Sequence, residues 1–82
     1  MAKYHPLRAL LVCDGRPRIE LTFDEIGAVV GGLPRSAYEY REWWANQAPP
    51  PVQAASWRDA GYRVDQVDLA GRRVRFVKGA AR

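Results

Sequence analysis

Apolar positions recur along the chain with two different periods, and the switches between them predict its elements. From Pro6 to Cys13, Leu7, Leu10 and Leu11 fall at i, i+3 and i+4, the spacing of one helix face, with proline in the first turn where it is tolerated. Asp14-Gly15-Arg16-Pro17 ends that helix. Arg18-Ile19-Glu20-Leu21 alternates polar and apolar residues and predicts a short strand. Helical spacing returns with Phe23, Ile26, Val29 and Val30, which form an expected buried stripe closed by Gly31-Gly32. Thr22-Phe23-Asp24-Glu25 opens this helix as a capping box: the Thr22 hydroxyl accepts from the Glu25 amide and the Glu25 carboxylate reaches back.

A second box of the same form, Ser36-Ala37-Tyr38-Glu39, follows Leu33-Pro34 and predicts an aromatic helix running on through Trp43 and Trp44. Adjacent helical residues point about 100° apart. One tryptophan is therefore expected in the core and the other nearer the surface. Asn46 is read as the cap of that helix or as a hydrogen-bonding residue of the loop around the prolines, and Pro49-Pro50-Pro51 as a stiff extended spacer, with a polyproline ligand as the alternative. Val52 to Asp59 resumes helical spacing with Val52, Ala55 and Trp57 facing inward, and Ala60-Gly61 stops it. Tyr62 to Val67 and Arg72 to Val77 then alternate on either side of Asp68-Leu69-Ala70-Gly71, which predicts a hairpin. Tyr62, Val64, Val74 and Phe76 are assigned to its buried face, with Arg73, Arg75 and Val77 on the other. The order is helix, strand, helix, helix, helix, hairpin: one α+β domain over residues 1–82.

With 82 residues and a hydrophobic fraction of 48%, the chain carries enough apolar mass for one small core and no more. Cys13 is the sole cysteine, so no intrachain disulfide forms; it reads as a small buried hydrophobe in a reducing compartment. Met1-Ala-Lys-Tyr-His-Pro lacks the long apolar stretch of a signal peptide, and no run reaches membrane-spanning length. These features predict a cytoplasmic protein without a membrane partner. The net charge is +4, and its distribution says more than its size. From Leu69 onward Arg72, Arg73, Arg75, Lys78 and Arg82 meet no acidic residue, whereas from Leu21 to Glu42 the acids Asp24, Glu25, Glu39 and Glu42 stand against Arg35 and Arg41.

Two likenesses follow from these residues. Leu33-Pro34-x-Ser36-Ala37, Trp43-Trp44-Ala45-Asn46, Ser56-Trp57-x-x-Ala60-Gly61-Tyr62-x-Val64 and Val74-x-Phe76 resemble a family of small bacterial domains of unknown function, also found in phage genomes and beside other modules. That resemblance implies one compact domain and carries no activity with it. The element order is also similar to a winged helix, in which a basic hairpin follows the recognition helix. This chain departs by a proline-interrupted extra helical segment, which leaves two candidate recognition helices.

The winged-helix likeness and the acid-free tail together predict binding to double-stranded DNA. Arg72, Arg73, Arg75 and Lys78 on a projecting hairpin would contact phosphates. Arg35, Ser36, Tyr38 and Arg41, or Gln53, Ser56 and Arg58, would face a groove, arginine and glutamine being shaped for bidentate base contacts. The competing reading is a protein-interaction module (an antitoxin, inhibitor or accessory subunit, self-associating or with another protein) using an aromatic patch left exposed among Tyr38, Tyr40, Trp43 and Trp44. Catalysis is not expected. His5 is the lone histidine and has no oriented acid or nucleophile near it in sequence, and His5 with Cys13 is too few ligands for a metal. No cofactor and no small-molecule substrate are expected.

Overall fold

Residues 3–45 and 52–79 are described by a computed structural model, Val52 for its backbone only. Asn46 and the triple proline, together with Arg82, lie outside the described residues. In order, the elements are α1 (His5–Asp14), β1 (Arg18–Thr22), α2 (Phe23–Val30), α3 (Arg35–Glu39), a 3₁₀ turn (Arg41–Trp44), α4 (Val52–Asp59), β2 (Tyr62–Asp68) and β3 (Arg73–Lys78). The domain is α+β, with the helices against one face of a three-stranded antiparallel sheet ordered β1-β3-β2.

The predicted hairpin gains a third strand. β1 pairs with β3 so that Ile19 lies opposite Phe76 and Leu21 opposite Val74, and β2 puts Val64 and Val67 on the far side of the same two residues. These apolar rows form the inner face. The outer face holds the rows Arg18–Val77–Arg63, Glu20–Arg75–Gln66 and Thr22–Arg73–Asp68. β3 is thus the central strand of the sheet, and its basic residues are flanked on both sides. A bulge between Val64 and Gln66 shifts the β2 register at Asp65.

The capping box at α2 forms as its sequence requires. The Thr22 amide donates to Glu25 Oε1 at 2.8 Å and the Glu25 amide donates to Thr22 Oγ1 at 3.0 Å. Gly31 ends the helix at φ 81°, a left-handed conformation that side chains with a Cβ adopt at a cost. Thr22→Ala is expected to lose about 1 kcal/mol of stability. A lowered denaturation midpoint at unchanged m-value would register that loss, and an unchanged midpoint would show the cap to be idle.

The aromatic segment departs from expectation. α3 spans only Arg35–Glu39, Tyr40 adopts an extended conformation (φ −123°, ψ 121°), and a 3₁₀ turn follows. The second capping box does not form: Pro34 is the N-cap, without a side-chain cap bond. Ser36 therefore sits inside the first turn, past the position from which its hydroxyl could cap. The extended Tyr40 re-aims the chain so that Trp44 enters the core at 1% exposure, while Trp43 is half-buried. The Trp44 indole N–H donates to the Ala37 carbonyl at 2.9 Å.

Trp44 is the hub of a ring network. It stacks on Phe23 (centroids 5.1 Å apart) and on Trp57 (5.9 Å), and meets Trp43 edge-on at 4.6 Å. Phe23 continues to Tyr38, Trp57 to Phe76, and Trp43 to Tyr4. Leu7, Leu11, Ile19, Ile26 and Val74 fill the rest of the core. Two residues assigned to the interior lie outside it. Val29 is exposed because Phe23, Ile26 and Val30 already make the stripe, and Cys13 is exposed because it sits two positions past Leu11, about 200° round the helix. On α4 the buried residues are Ala54, Ser56 and Trp57, with Ala55 half-buried.

Candidate functional site

The four cations assigned to the hairpin are spread along the sheet, and Arg75 and Lys78 are hydrogen-bonded within it. Arg75, in the middle of the outer face, donates to Glu20 Oε2 at 3.3 Å through Nε and to Asp65 Oδ2 at 3.2 Å through Nη1. Lys78, at the far end of β3, donates from Nζ to the Gly15 carbonyl at 3.0 Å. Arg72 precedes β3 in the turn at φ 55°. Its carbonyl accepts from the Phe23 amide at 2.9 Å, and its guanidinium lies 5.3 Å from the Tyr38 ring centre, within cation–π range. Arg73 is exposed, in the row with Thr22 and Asp68. The turn itself is fixed by the Gly71 amide donating to Asp68 Oδ1; a Cβ at Gly71 would fall 2.6 Å from that carboxylate.

The two candidate recognition helices fare differently. On α4, Ser56 is buried with its hydroxyl donating to the Gln53 carbonyl, and the Gln53 side-chain amide donates to the Trp43 carbonyl at 3.1 Å. Arg58 remains exposed. On α3, Arg35 pairs with Glu39 at 2.9 Å, Ser36 is half-buried, and Tyr38 lies between Phe23 and Arg72. Arg41 Nη1 donates to the Val67 carbonyl at 2.6 Å. Of the predicted site residues the fold therefore brings Arg72 and Tyr38 together, while Gln53, Ser56, Arg41, Arg75 and Lys78 are engaged elsewhere within the chain.

Sequence reading offers no candidate at Glu20 or Asp65, the two carboxylates that hold Arg75. Glu20 is 55 positions from its partner, and only the strand register brings them together. At the opposite pole Arg16 donates twice to Asp14, at 2.6 and 2.9 Å. These hydrogen bonds hold the Asp14 carboxyl below its ordinary range and raise Arg16. Among the described residues no group of three His, Cys, Asp or Glu side chains is placed to hold a metal ion, and no helix is long and apolar enough to cross a membrane.

Besides the exposed Arg58 and Arg73, the described surface carries one largely exposed aromatic ring. Tyr40 is 57% exposed. Trp43 lies three residues on, its amide donating to the Tyr40 carbonyl at 3.1 Å, and Tyr40 itself is the extended N-cap of the 3₁₀ turn. The inner edge of Trp43 rests on Tyr4 and Trp44.

Neither a search of curated proteins nor a search of solved structures finds a match to this chain. Residues 4–80 match the domain of unknown function DUF7662, and the chain belongs to that family.

Proposed function

We propose that the domain is a small protein-interaction module acting in the cytoplasm, an antitoxin, inhibitor or accessory subunit, with Tyr40 and Trp43 as its contact surface. The observation that carries this reading is the exposure of Tyr40, three residues before a half-buried tryptophan that packs on Tyr4 and Trp44. Large amphipathic rings held in one conformation contribute much contact area at low entropic cost, and such residues dominate interface energetics. The reading involves no catalytic step and no cofactor. The engagement of Arg75, Lys78, Arg41 and Gln53 within the chain favours it over a nucleic-acid surface built on those four side chains.

A second reading, duplex-DNA binding by a winged-helix-like domain, rests on one observation. Arg72 of the turn stands over the Tyr38 ring of α3, and the exposed Arg73 follows it at the start of β3. One experiment separates the two. A photo-crosslinking phenylalanine analogue replaces Tyr40 in the producing cells, and the same probe at exposed Asp59 serves as control. The module reading expects adducts at position 40 that protease removes and nuclease leaves intact. Nuclease-sensitive adducts would favour the DNA reading, and an adduct pattern equal to that of the Asp59 control would remove Tyr40 from the interface.

A further inference from the structure

The two edges of the sheet are finished differently. Hydrogen-bond parity follows from the Lys78 amide donating to the Pro17 carbonyl and the Phe23 amide donating to the Arg72 carbonyl, at 2.8 and 2.9 Å. In an antiparallel pair, bonded residues alternate. Ile19 and Leu21 therefore turn their backbone groups toward β3, and Arg18, Glu20 and Thr22 turn theirs outward. By the same parity the Val67 carbonyl points away from β3 on the β2 edge, and there Arg41 covers it. On β1 the Thr22 amide is taken by Glu25. The amides and carbonyls of Arg18 and Glu20 have no hydrogen-bond partner among the described residues.

An open edge is normally protected by charge, and β1 carries Arg18 and Glu20 at its exposed positions. These two charges are of opposite sign and two residues apart, so they disfavour a strand that sets like charges opposite them and match their own copy. Arg18 also has no carboxylate within ion-pair distance among the described residues, although Glu20, Arg63, Asp65 and Arg75 on the same face are all engaged. Three antiparallel registers let Arg18 and Glu20 bond outward to a second β1. Centring on Arg18 sets arginine against arginine, and centring on Glu20 sets glutamate against glutamate. Centring on Ile19 sets each Arg18 opposite a Glu20, with the four free amide and carbonyl groups of each chain all bonded.

We propose that the domain self-associates through β1 in this third register, forming a two-fold symmetric dimer with a continuous six-stranded sheet. The partner is a second copy of this chain. The charge row then runs Arg63–Val77–Arg18 in one copy and Glu20–Arg75–Gln66 in the other, so that the unpaired arginine meets a carboxylate and that carboxylate lies between two cations. An isologous contact of this kind closes after two copies and leaves the β2 edges, covered by Arg41, at the ends. The dimer uses a different surface from Tyr40 and stands whether or not position 40 yields an adduct.

Sedimentation velocity on the full chain over a concentration series tests the proposal. The wild type is expected to shift from monomer to dimer. Arg18→Glu, which sets glutamate against Glu20 twice, should weaken the dimer about tenfold or more. The double reversal Arg18→Glu with Glu20→Arg should restore it. Wild-type amide exchange at Arg18 and Glu20 should slow with concentration, a readout independent of how the variants fold. A chain that stays monomeric throughout, a dimer indifferent to Arg18→Glu, or exchange at these amides that ignores concentration would each overturn it.

Discussion

Trp44→Ala is expected to remove about 3–5 kcal/mol from a domain whose size predicts a total of about 4–12 kcal/mol. At its upper end this unfolds much of the population of a domain near the bottom of that range; at its lower end it lowers the melting temperature by roughly 12–24 °C. The size of the effect comes from position. Trp44 contacts three rings, on Phe23, Trp57 and Trp43, at 1% exposure. Alanine leaves a cavity of tryptophan size in the core and breaks the bridge between its α2 side and its α4 side. It also strands the Ala37 carbonyl, which receives the indole N–H at 2.9 Å.

Trp44→Phe separates packing from hydrogen bonding. Phenylalanine keeps much of the stack on Phe23 and Trp57 but cannot donate to Ala37. We expect a loss intermediate between wild type and alanine, with the lost hydrogen bond contributing about 1–2 kcal/mol. Thermal melts of the three proteins by near-ultraviolet circular dichroism would rank them. If Trp44→Ala melted within a few degrees of wild type, the aromatic hub would not organise this core.

The aromatic segment also marks the limit of what local sequence encodes. Two adjacent tryptophans, one inside and one nearer the surface, follow from helix geometry, and Trp44 and Trp43 take those roles. The continuous helix around them does not exist. Ser36-x-x-Glu39 has the form of a capping box, but Pro34 already serves as N-cap, and Arg35 with Glu39 then spends the glutamate in an ion pair. At α2 the same motif lacks such a competitor and forms fully. A local motif holds where its residues have no stronger partner nearby.

For strands, alternation shows which residues point inward but not which strand lies alongside. Arg18 to Leu21 is legible as β1, and Val74 and Phe76 as an inner face. That β1 binds the outer side of β3, opposite β2, depends on contacts more than fifty residues apart. This pairing decides the fate of the basic tail. A row of arginines without acids in its own segment looks free in sequence. Once β1 and β2 flank β3, Glu20 and Asp65 close on Arg75. The charge excess of the tail is real, yet a central strand presents it between carboxylates. The open backbone of Arg18 and Glu20 is equally invisible locally, because bonding parity exists only after pairing.

Tyr62→Phe is expected to cost about 1–3 kcal/mol at neutral pH and to flatten the loss of stability in alkali. The phenol is 3% exposed and its hydroxyl donates to the Arg16 carbonyl at 2.6 Å, tying the start of β2 to the segment ahead of β1. Burial, followed by the nearby Asp14 charge, raises the Tyr62 pKa above its ordinary value of 10.0. The folded state thus holds this proton more tightly than the unfolded state does. Its stabilising share is fully present below pH 10.0 and is lost as the pH climbs through the folded value, because the unfolded chain releases the proton first. Phenylalanine has no proton to lose, so the variant starts less stable but declines less steeply. Tyr4, also raised by burial, contributes the same limb in both proteins and cancels in the comparison. Denaturation midpoints of wild type and variant measured from pH 8 to pH 11 should converge. Parallel lines would mean that Tyr62 ionises as freely in the fold as outside it.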